Sequence, residues 1–177
     1  IGEKGFSKID VLNANVPNQA YQDAIFVPGK AGFVVNAIDR TGKLLYRIER
    51  KDYQGRKFTK TLEKEIRSLI EKQNPQQYQF LKDRMVFPDK FPIFSSFYID
   101  SKVNLLYLFT WKFKNAIFEC FIYDMKGKFV RRVEIPFKMQ DMLRPYPLMI
   151  YDWKLYQLID NDESETWEMH ITDVKKY

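Results

Sequence analysis

Oxygen-bearing side chains that could hold a cation are concentrated in one short run. Residues 160–165 read Asp-Asn-Asp-Glu-Ser-Glu, and hard cations such as calcium take six to eight oxygen ligands. Asp160, Asp162 and Glu163 are therefore candidate metal ligands. The run lacks the glycine at the sharp turn of a calcium loop and has no second ligand-bearing segment, so a solvated hairpin tip is the favoured interpretation. We expect no cofactor, and calcium is the one ion that the sequence suggests.

The sequence contains few residues that could carry out nucleophilic catalysis. A nucleophile needs a base within hydrogen-bond reach, and the only histidine, His170, lies on a predicted strand near the end of the sequence. The sequence contains no Gly-x-Ser-x-Gly, no His-Glu-x-x-His and no glycine-rich phosphate loop. The single cysteine, Cys120, allows no intrachain disulfide and is predicted to be buried. These residues favour a protein that is not an enzyme.

A loop that occurs only once is the better candidate for binding. Between Met139 and Met149 the sequence shows no repeated pattern, and such loops often carry function. We therefore predict that a ligand contacts side chains of this loop, namely Met139, Met142, Leu143 and Tyr146.

Composition and charge favour a folded β protein. Of the 177 residues, 45% are hydrophobic and 16% aromatic, which favours sheet over helix. The net charge of +6 is uneven, with fourteen Lys/Arg against seven Asp/Glu over residues 40–90 and three against seven over residues 151–177. That asymmetry fits self-association as well as nucleic acid. Nucleic acid is disfavoured because acidic residues interleave with the basic ones on the predicted helices, and no apolar run is long enough to span a membrane.

A hairpin occurs twice at an offset of 85 residues, over residues 33–49 and 118–134. Both copies contain Asp-x-x-Gly-Lys, in which Asp bonds its own backbone and Gly accepts a positive φ. The shared residues are Phe33/Phe118, Asp39/Asp124, Gly42/Gly127, Lys43/Lys128, Arg47/Arg132 and Glu49/Glu134. Arg132 and Glu134 are expected to stay in water. Repetition of a turn indicates a structural requirement, because an active site would occur once.

Other strands and two helices surround these hairpins. Apolar residues at Leu62, Ile66, Leu69 and Ile70 predict a helix over 61–73, which Thr59 or Thr61 caps, and Asn74-Pro75 starts a second helix. Including those of the two hairpins, strands are predicted at 24–27, 32–38, 43–50, 93–100, 105–111, 116–124, 128–135, 148–152, 154–159 and 166–172. The helices form an insertion at about 59–84 in an otherwise β-type chain.

Four segments of the chain resemble the repeats of bacterial six-bladed β-propellers of the NHL type. The two Asp-x-x-Gly-Lys hairpins are similar to the outer hairpins of that family. Residues 92–100 resemble its blade opening, and residues 152–156 resemble the start of one of its strands. The resemblance covers about residues 24–50 and 86–173. It implies a single mainly β domain over 1–177, a partial propeller of four-stranded antiparallel meander blades, with a complete blade at 92–135 and a terminal blade at 147–173.

The resemblance also implies a function. The family includes scaffolds, peptide-binding sensors, lipoproteins and sugar-lactone hydrolases. We expect a non-enzymatic binding or scaffold module that binds protein, peptide or glycan in an extracytoplasmic, periplasmic or lipoprotein setting. A metal-assisted hydrolase of the lactonase type is the alternative. The chain has room for about three to four blades at the usual repeat length, so self-association or further blades would complete the ring.

Overall fold

Antiparallel β-sheet makes up most of the protein. The computed structural model describes residues 8–12, 18–29, 32–161 and 164–177. In chain order the strands and helices are β1 (Ile9–Asp10), β2 (Gln19–Tyr21), β3 (Ala24–Pro28), β4 (Phe33–Ile38), β5 (Leu44–Arg50), α1 (Lys60–Gln73), α2 (Pro75–Leu81), β6 (Met85–Val86), β7 (Phe94–Asp100), β8 (Leu105–Lys114), β9 (Ile117–Asp124), β10 (Phe129–Pro136), β11 (Leu148–Tyr151), β12 (Lys154–Asn161) and β13 (Thr166–Asp173). The predicted mainly β class is confirmed.

Three sheets follow one another along the chain, and each is a simple meander. Sheet I has the order β2-β3-β4-β5, sheet II has β7-β8-β9-β10, and sheet III has β11-β12-β13. Neighbouring strands in all three sheets are antiparallel. None of these sheets closes on itself. The short strands β1 and β6 form a separate parallel pair.

The three sheets pack face to face, with sheet II in the middle. One of its two inner strands, β8, is buried at every position from Leu105 to Trp111, because both faces of the strand meet apolar side chains. One core joins sheets I and II and contains Phe26, Phe33, Val35, Leu106, Leu108 and Phe121. The other joins sheets II and III and contains Tyr107, Phe109, Cys120, Ile135, Ile150 and Leu155. Backbone contacts between sheets are concentrated on their first strands, β2 against β7 and β7 against β11.

A buried carboxylate connects sheets II and III. Asp100, at the end of β7, is fully buried. Its oxygens accept hydrogen bonds from the backbone N–H groups of Asp152 at 3.1 Å and Trp153 at 2.8 Å, in the turn between β11 and β12. It also accepts one from the N–H of Lys102 at 3.1 Å. Burial of this charge is tolerable because hydrogen bonds replace water.

Tyrosine hydroxyls connect sheet I to sheet II. The Tyr21 hydroxyl donates to Oδ1 of Asn104 at 2.9 Å, and the Tyr46 hydroxyl donates to the carbonyl oxygen of Met125 at 2.6 Å. Both acceptors lie in turns of sheet II. The packing of the two sheets is therefore supported by polar contacts as well as by the apolar core.

The repeated hairpin has the same geometry in both copies, as predicted. Oδ1 of Asp39 accepts from the N–H groups of Thr41 and Lys43, and Oδ1 of Asp124 accepts from those of Lys126 and Lys128. Gly42 and Gly127 have φ of +88° and +81°. The hydrogen bonds from Thr41 and Lys43 hold the pKa of Asp39 below its usual range.

The helical insertion is also confirmed. Oγ1 of Thr59 caps α1 by accepting from the N–H of Leu62, and Oδ1 of Asn74 caps α2 by accepting from the N–H of Gln77. The inner face of α1 joins a third apolar core, with Leu12, Ile66, Phe91 and Trp111 as its buried members. The insertion therefore packs on the end of sheet II that carries Trp111.

Candidate binding groove

The candidate site lies where the regular pairing of sheet II breaks down. Phe109 pairs with Cys120 and Phe113 pairs with Phe118, so three residues of β8 face only Glu119 of β9. Such a bulge changes the direction in which side chains point. Here it brings the Thr110 hydroxyl to the Glu119 carboxylate, while Trp111 enters the core beneath the helices.

Glu119 is the centre of a network of hydrogen bonds. Its side chain is only 5% exposed. Oε2 accepts from the Tyr53 hydroxyl at 2.6 Å and from Oγ1 of Thr110 at 2.9 Å, and Oε1 accepts from Nη2 of Arg132 at 2.8 Å. Burial and the hydrogen bond to Glu119 raise the pKa of the Tyr53 hydroxyl, which therefore remains a donor.

Cationic side chains surround this network. Nζ of Lys112 lies 4.2 Å from the centroid of the Tyr53 ring. The guanidinium carbon of Arg50 lies 5.1 Å from the centroid of the Phe121 ring, and that of Arg132 lies 6.0 Å from it. Contacts of this kind stabilise a cation without neutralising it. The groove therefore keeps a positive character around one buried carboxylate.

Two adjoining cavities form the groove, and both are lined by Lys112, Glu119 and Arg132. The larger, of about 480 Å³, is also lined by Phe113, Lys114, Asn115, Ile117 and Glu134. The smaller, of about 240 Å³, is also lined by Arg50, Asp52, Tyr53, Gln54 and Phe121. Phe113 and Ile117 are 38% and 42% exposed. An apolar surface next to cations fits a ligand with an acidic group and an apolar group.

Charge pairing leaves two lysines of the groove available. Within the described ranges, Arg132 pairs with Glu119 and with Glu134, and Arg50 pairs with Asp52. Lys112 and Lys114 make no ion pair with these described residues. The larger cavity therefore offers two cations to an incoming anion.

The binding loop predicted from the sequence lies elsewhere, and its residues separate into two environments. Met139 packs against the core between sheets II and III. Met142 and Leu143 pack against the third core, beneath the helices. Tyr146 is half-buried, and its N–H donates to the carbonyl oxygen of Lys138 at 3.4 Å. Their ligand-binding role stays a prediction.

Asp141 organises the tip of that loop. Oδ1 accepts from the N–H groups of Leu143 and Arg144, and Oδ2 accepts from Nε of Arg144 at 2.7 Å. The tip of the loop is therefore held by hydrogen bonds within the loop itself.

The acidic run between β12 and β13 is described only in part. Asp160 is an exposed residue of β12, whereas Asp162 and Glu163 lie outside the described residues. Across the part of the chain that the structure describes, no group of three or more His, Cys, Asp or Glu side chains is arranged to hold a metal ion. The predicted calcium site stays a prediction.

His170 and Cys120 occupy the places predicted for them. His170 lies on β13, where Nε2 contacts Oε2 of Glu168 at 3.1 Å. Cys120 is fully buried on β9, and burial raises the pKa of its thiol. A buried thiol with a raised pKa is a poor nucleophile.

Sequence reasoning missed the centre of the groove. Glu119 is the only charged residue between Ile117 and Tyr123, and a charge in a buried strand requires partners. The charge of Glu119 was therefore the feature of the sequence that could have indicated this site. Arg132 was expected to stay in water, but its half-exposed guanidinium bonds Glu119, whereas Glu134 is 68% exposed as expected. Tyr53 comes from the segment after β5, a contact across 66 residues that no local pattern indicates.

Comparison with known proteins identifies no relative. No family model matches the chain, and no curated protein or solved structure matches it significantly. Neither α1 nor α2 has the length and apolar character needed to cross a membrane, and no other helix in the described ranges does.

Proposed function

We propose that the chain is a non-enzymatic binding or scaffold module with the architecture of a partial β-propeller. The packing of three consecutive meanders, face to face and closest at their first strands, supports this architecture. Blades arranged around an axis converge in this way at their inner strands. The repeated Asp-x-x-Gly-Lys hairpin lies at the start of the fourth strand in both sheets that have one.

The groove around Glu119 is the proposed ligand site, and its ligand is an acidic peptide segment with an apolar side chain. Lys112 and Lys114 supply unneutralised cations, and Phe113 and Ile117 supply exposed apolar surface beside them. The availability of these two lysines is the observation that carries the proposal. A peptide carboxylate would gain a charge-assisted hydrogen bond from either one.

Binding fits the groove better than catalysis does. Both oxygens of Glu119 are engaged by Tyr53, Thr110 and Arg132, so the carboxylate is not free to take a proton from a substrate. Its role is to position Arg132 and the bulge of β8. Lys112 and Lys114 then face the cavity from a fixed strand.

Selection from a random peptide phage library tests this function. We expect the selected peptides to be enriched in Asp or Glu next to an aromatic or aliphatic residue. The double variant Lys112→Ala/Lys114→Ala should bind a selected synthetic peptide at least tenfold more weakly, as measured by fluorescence anisotropy. Loss of two charge-assisted contacts of about 1 kcal/mol each accounts for that change.

The matched control removes two exposed lysines of α1, Lys64→Ala/Lys72→Ala. It lowers the net charge equally and should leave the affinity unchanged. Equal weakening in both double variants would show that overall charge, and not the groove, attracts the peptide. Selected peptides without acidic residues would also contradict the proposal.

A further inference from the structure

The outer face of sheet III carries an unusual number of exposed apolar side chains. Trp167, Met169 and Ile171 of β13 are 55%, 59% and 58% exposed. Met149 and Tyr151 of β11 and Leu158 of β12 are also exposed, and they lie on the same face because Met149 pairs with Tyr156, Tyr156 with Ile171, and Leu158 with Met169. A contiguous apolar patch of this kind marks an interaction surface.

The positions that correspond to Trp167, Met169 and Ile171 are buried in sheets I and II. Strands β4, β9 and β13 lead to an aspartate, Asp39, Asp124 or Asp173, whose Oδ1 accepts from the N–H two residues later. The residues six, four and two positions before it are Phe33, Val35 and Ala37 in β4, Phe118, Cys120 and Ile122 in β9, and Trp167, Met169 and Ile171 in β13. The first set is buried between sheets I and II, and the second between sheets II and III. Each of the first two sets packs against the next sheet along the chain. By the same arrangement, Trp167, Met169 and Ile171 face the position that a further sheet would occupy.

The neighbouring strand shows the same correspondence. Tyr107 and Phe109 of β8 pair with residues of β9 in the register in which Tyr156 and Leu158 of β12 pair with residues of β13. Tyr107 and Phe109 are fully buried against sheet III. Sheet III therefore repeats, across at least two strands, a face that sheet II uses for packing.

The outer face of sheet I is the counterpart in the same stack. Side chains that alternate with the buried Phe33, Val35 and Ala37 point away from sheet II. They include Val34 and Ile38 of β4, which are half-buried, and Ile25 of β3, which pairs with Ile38. Leu45 of β5 is 50% exposed and lies two residues before Arg47, whose Nε donates to Oδ1 of Asn36 on this face. Sheets II and III each use the corresponding face to pack on the sheet before them.

The segments that contain these two sheets differ in net charge. Residues 148–173, which contain sheet III, include seven Asp/Glu and one Lys. Residues 19–50, which contain sheet I, include five Lys/Arg and three Asp/Glu. Contact between sheet III of one copy and sheet I of another brings opposite charges together, whereas contact between two copies of sheet III brings like charges together.

We propose that a second copy of this chain covers the outer face of sheet III with the outer face of its sheet I. The contact is head-to-tail and continues between molecules the packing that joins sheets I, II and III within one molecule. It does not involve Lys112 or Lys114, so the peptide-binding variants leave it unchanged and the two proposals can fail separately.

Size-exclusion chromatography with light scattering tests the association. The 177-residue chain should show a mass above that of the monomer at tens of micromolar. Ile171→Lys, which places a cation at the centre of the sheet III face, should be a monomer. Phe80→Lys is the control, because Phe80 is 62% exposed on α2, outside both sheets, and this variant should retain the mass of the unaltered chain. Circular dichroism melting shows that each variant folds.

A mixing experiment distinguishes the head-to-tail contact from a symmetric one. Leu45→Lys should also be a monomer, since it alters the sheet I face. A mixture of Ile171→Lys and Leu45→Lys should form a 1:1 pair, because the intact sheet III of one variant meets the intact sheet I of the other. A monomeric unaltered chain, continued association of Ile171→Lys, or association of Leu45→Lys by itself would each overturn the proposal.

Discussion

The two glycines of the repeated turn have the same backbone conformation and different surroundings. Gly42 and Gly127 both have positive φ, which side chains with a Cβ adopt at a cost. A Cβ at Gly42 would meet no atom within 4 Å, whereas a Cβ at Gly127 would lie 2.9 Å from carbon atoms of the Tyr46 ring. That ring cannot move freely, because its hydroxyl is bonded to Met125 of sheet II.

Alanine substitution at the two glycines should therefore give unequal losses. We expect Gly42→Ala to lower the free energy of unfolding by about 1 kcal/mol, the cost of the positive φ. Gly127→Ala should cost about 1–2 kcal/mol more, because the added methyl group collides with Tyr46. Urea denaturation of both variants measures the difference. Equal losses would mean that the ring shifts without penalty.

Interactions between residues that are close in sequence were predictable, whereas interactions between residues far apart in sequence were not. Asp39, Gly42, Asp124 and Gly127 act within five residues of chain, so their types and spacing were enough to predict the turn. The role of Glu119 depends on donors at positions 53, 110 and 132. Nothing in a single stretch of sequence indicates that those residues meet.

Among the secondary-structure elements, those with a clear period were predicted to within a few residues. The alternation in β4 and the helical stripe of α1 result from burial of one face, so pattern and structure have the same cause. Strands β2 and β6 were not predicted. They span three and two residues, which is too short to show a period.

Asp100 connects two such elements, and its replacement should weaken the contact between sheets II and III. Asp100→Ala leaves the N–H groups of Asp152 and Trp153 without their acceptor, so we expect a loss of about 2–3 kcal/mol in the free energy of unfolding. Asp100→Asn keeps one acceptor oxygen and should lose about half as much. Chemical denaturation with Trp fluorescence measures both variants, and no difference between Ala and Asn would contradict the hydrogen-bonding role.

In the whole molecule, the sequence predicted most strands of the three sheets but not which faces of the sheets meet. Sheet II has apolar residues on both sides, and that pattern allows more than one order of stacking. The order in the structure depends on contacts such as Tyr21 with Asn104 and Tyr46 with Met125, which join residues about 80 positions apart. That the stack is part of a propeller remains part of the proposal above.

The tyrosines between the sheets make the stability of the whole stack sensitive to alkali. Burial, together with the nearby Asp124, raises the pKa of Tyr46 from 10.0 to about 12, and burial likewise raises the pKa of Tyr107. Because the pKa of Tyr46 is higher in the folded chain than in the unfolded chain, its contribution to stability is fully present below pH 10. That contribution is lost as the pH rises towards 12.

The free energy of unfolding should therefore fall as the pH rises from about 10 towards 12. Tyr46→Phe removes one titrating hydroxyl, so its stability should fall less over that range than that of the unaltered chain. Urea titrations at several pH values measure the two slopes. Parallel slopes would show that Tyr46 does not contribute.

The position of Cys120 allows the separation of sheets II and III to be measured by thiol labelling. It is the one thiol in the sequence, and it is fully buried on the side of β9 that faces sheet III. A thiol reagent reaches it only when sheet III separates from sheet II or the molecule unfolds further. The labelling rate of the unaltered chain thus measures how often that interface opens, with no probe added to the sequence.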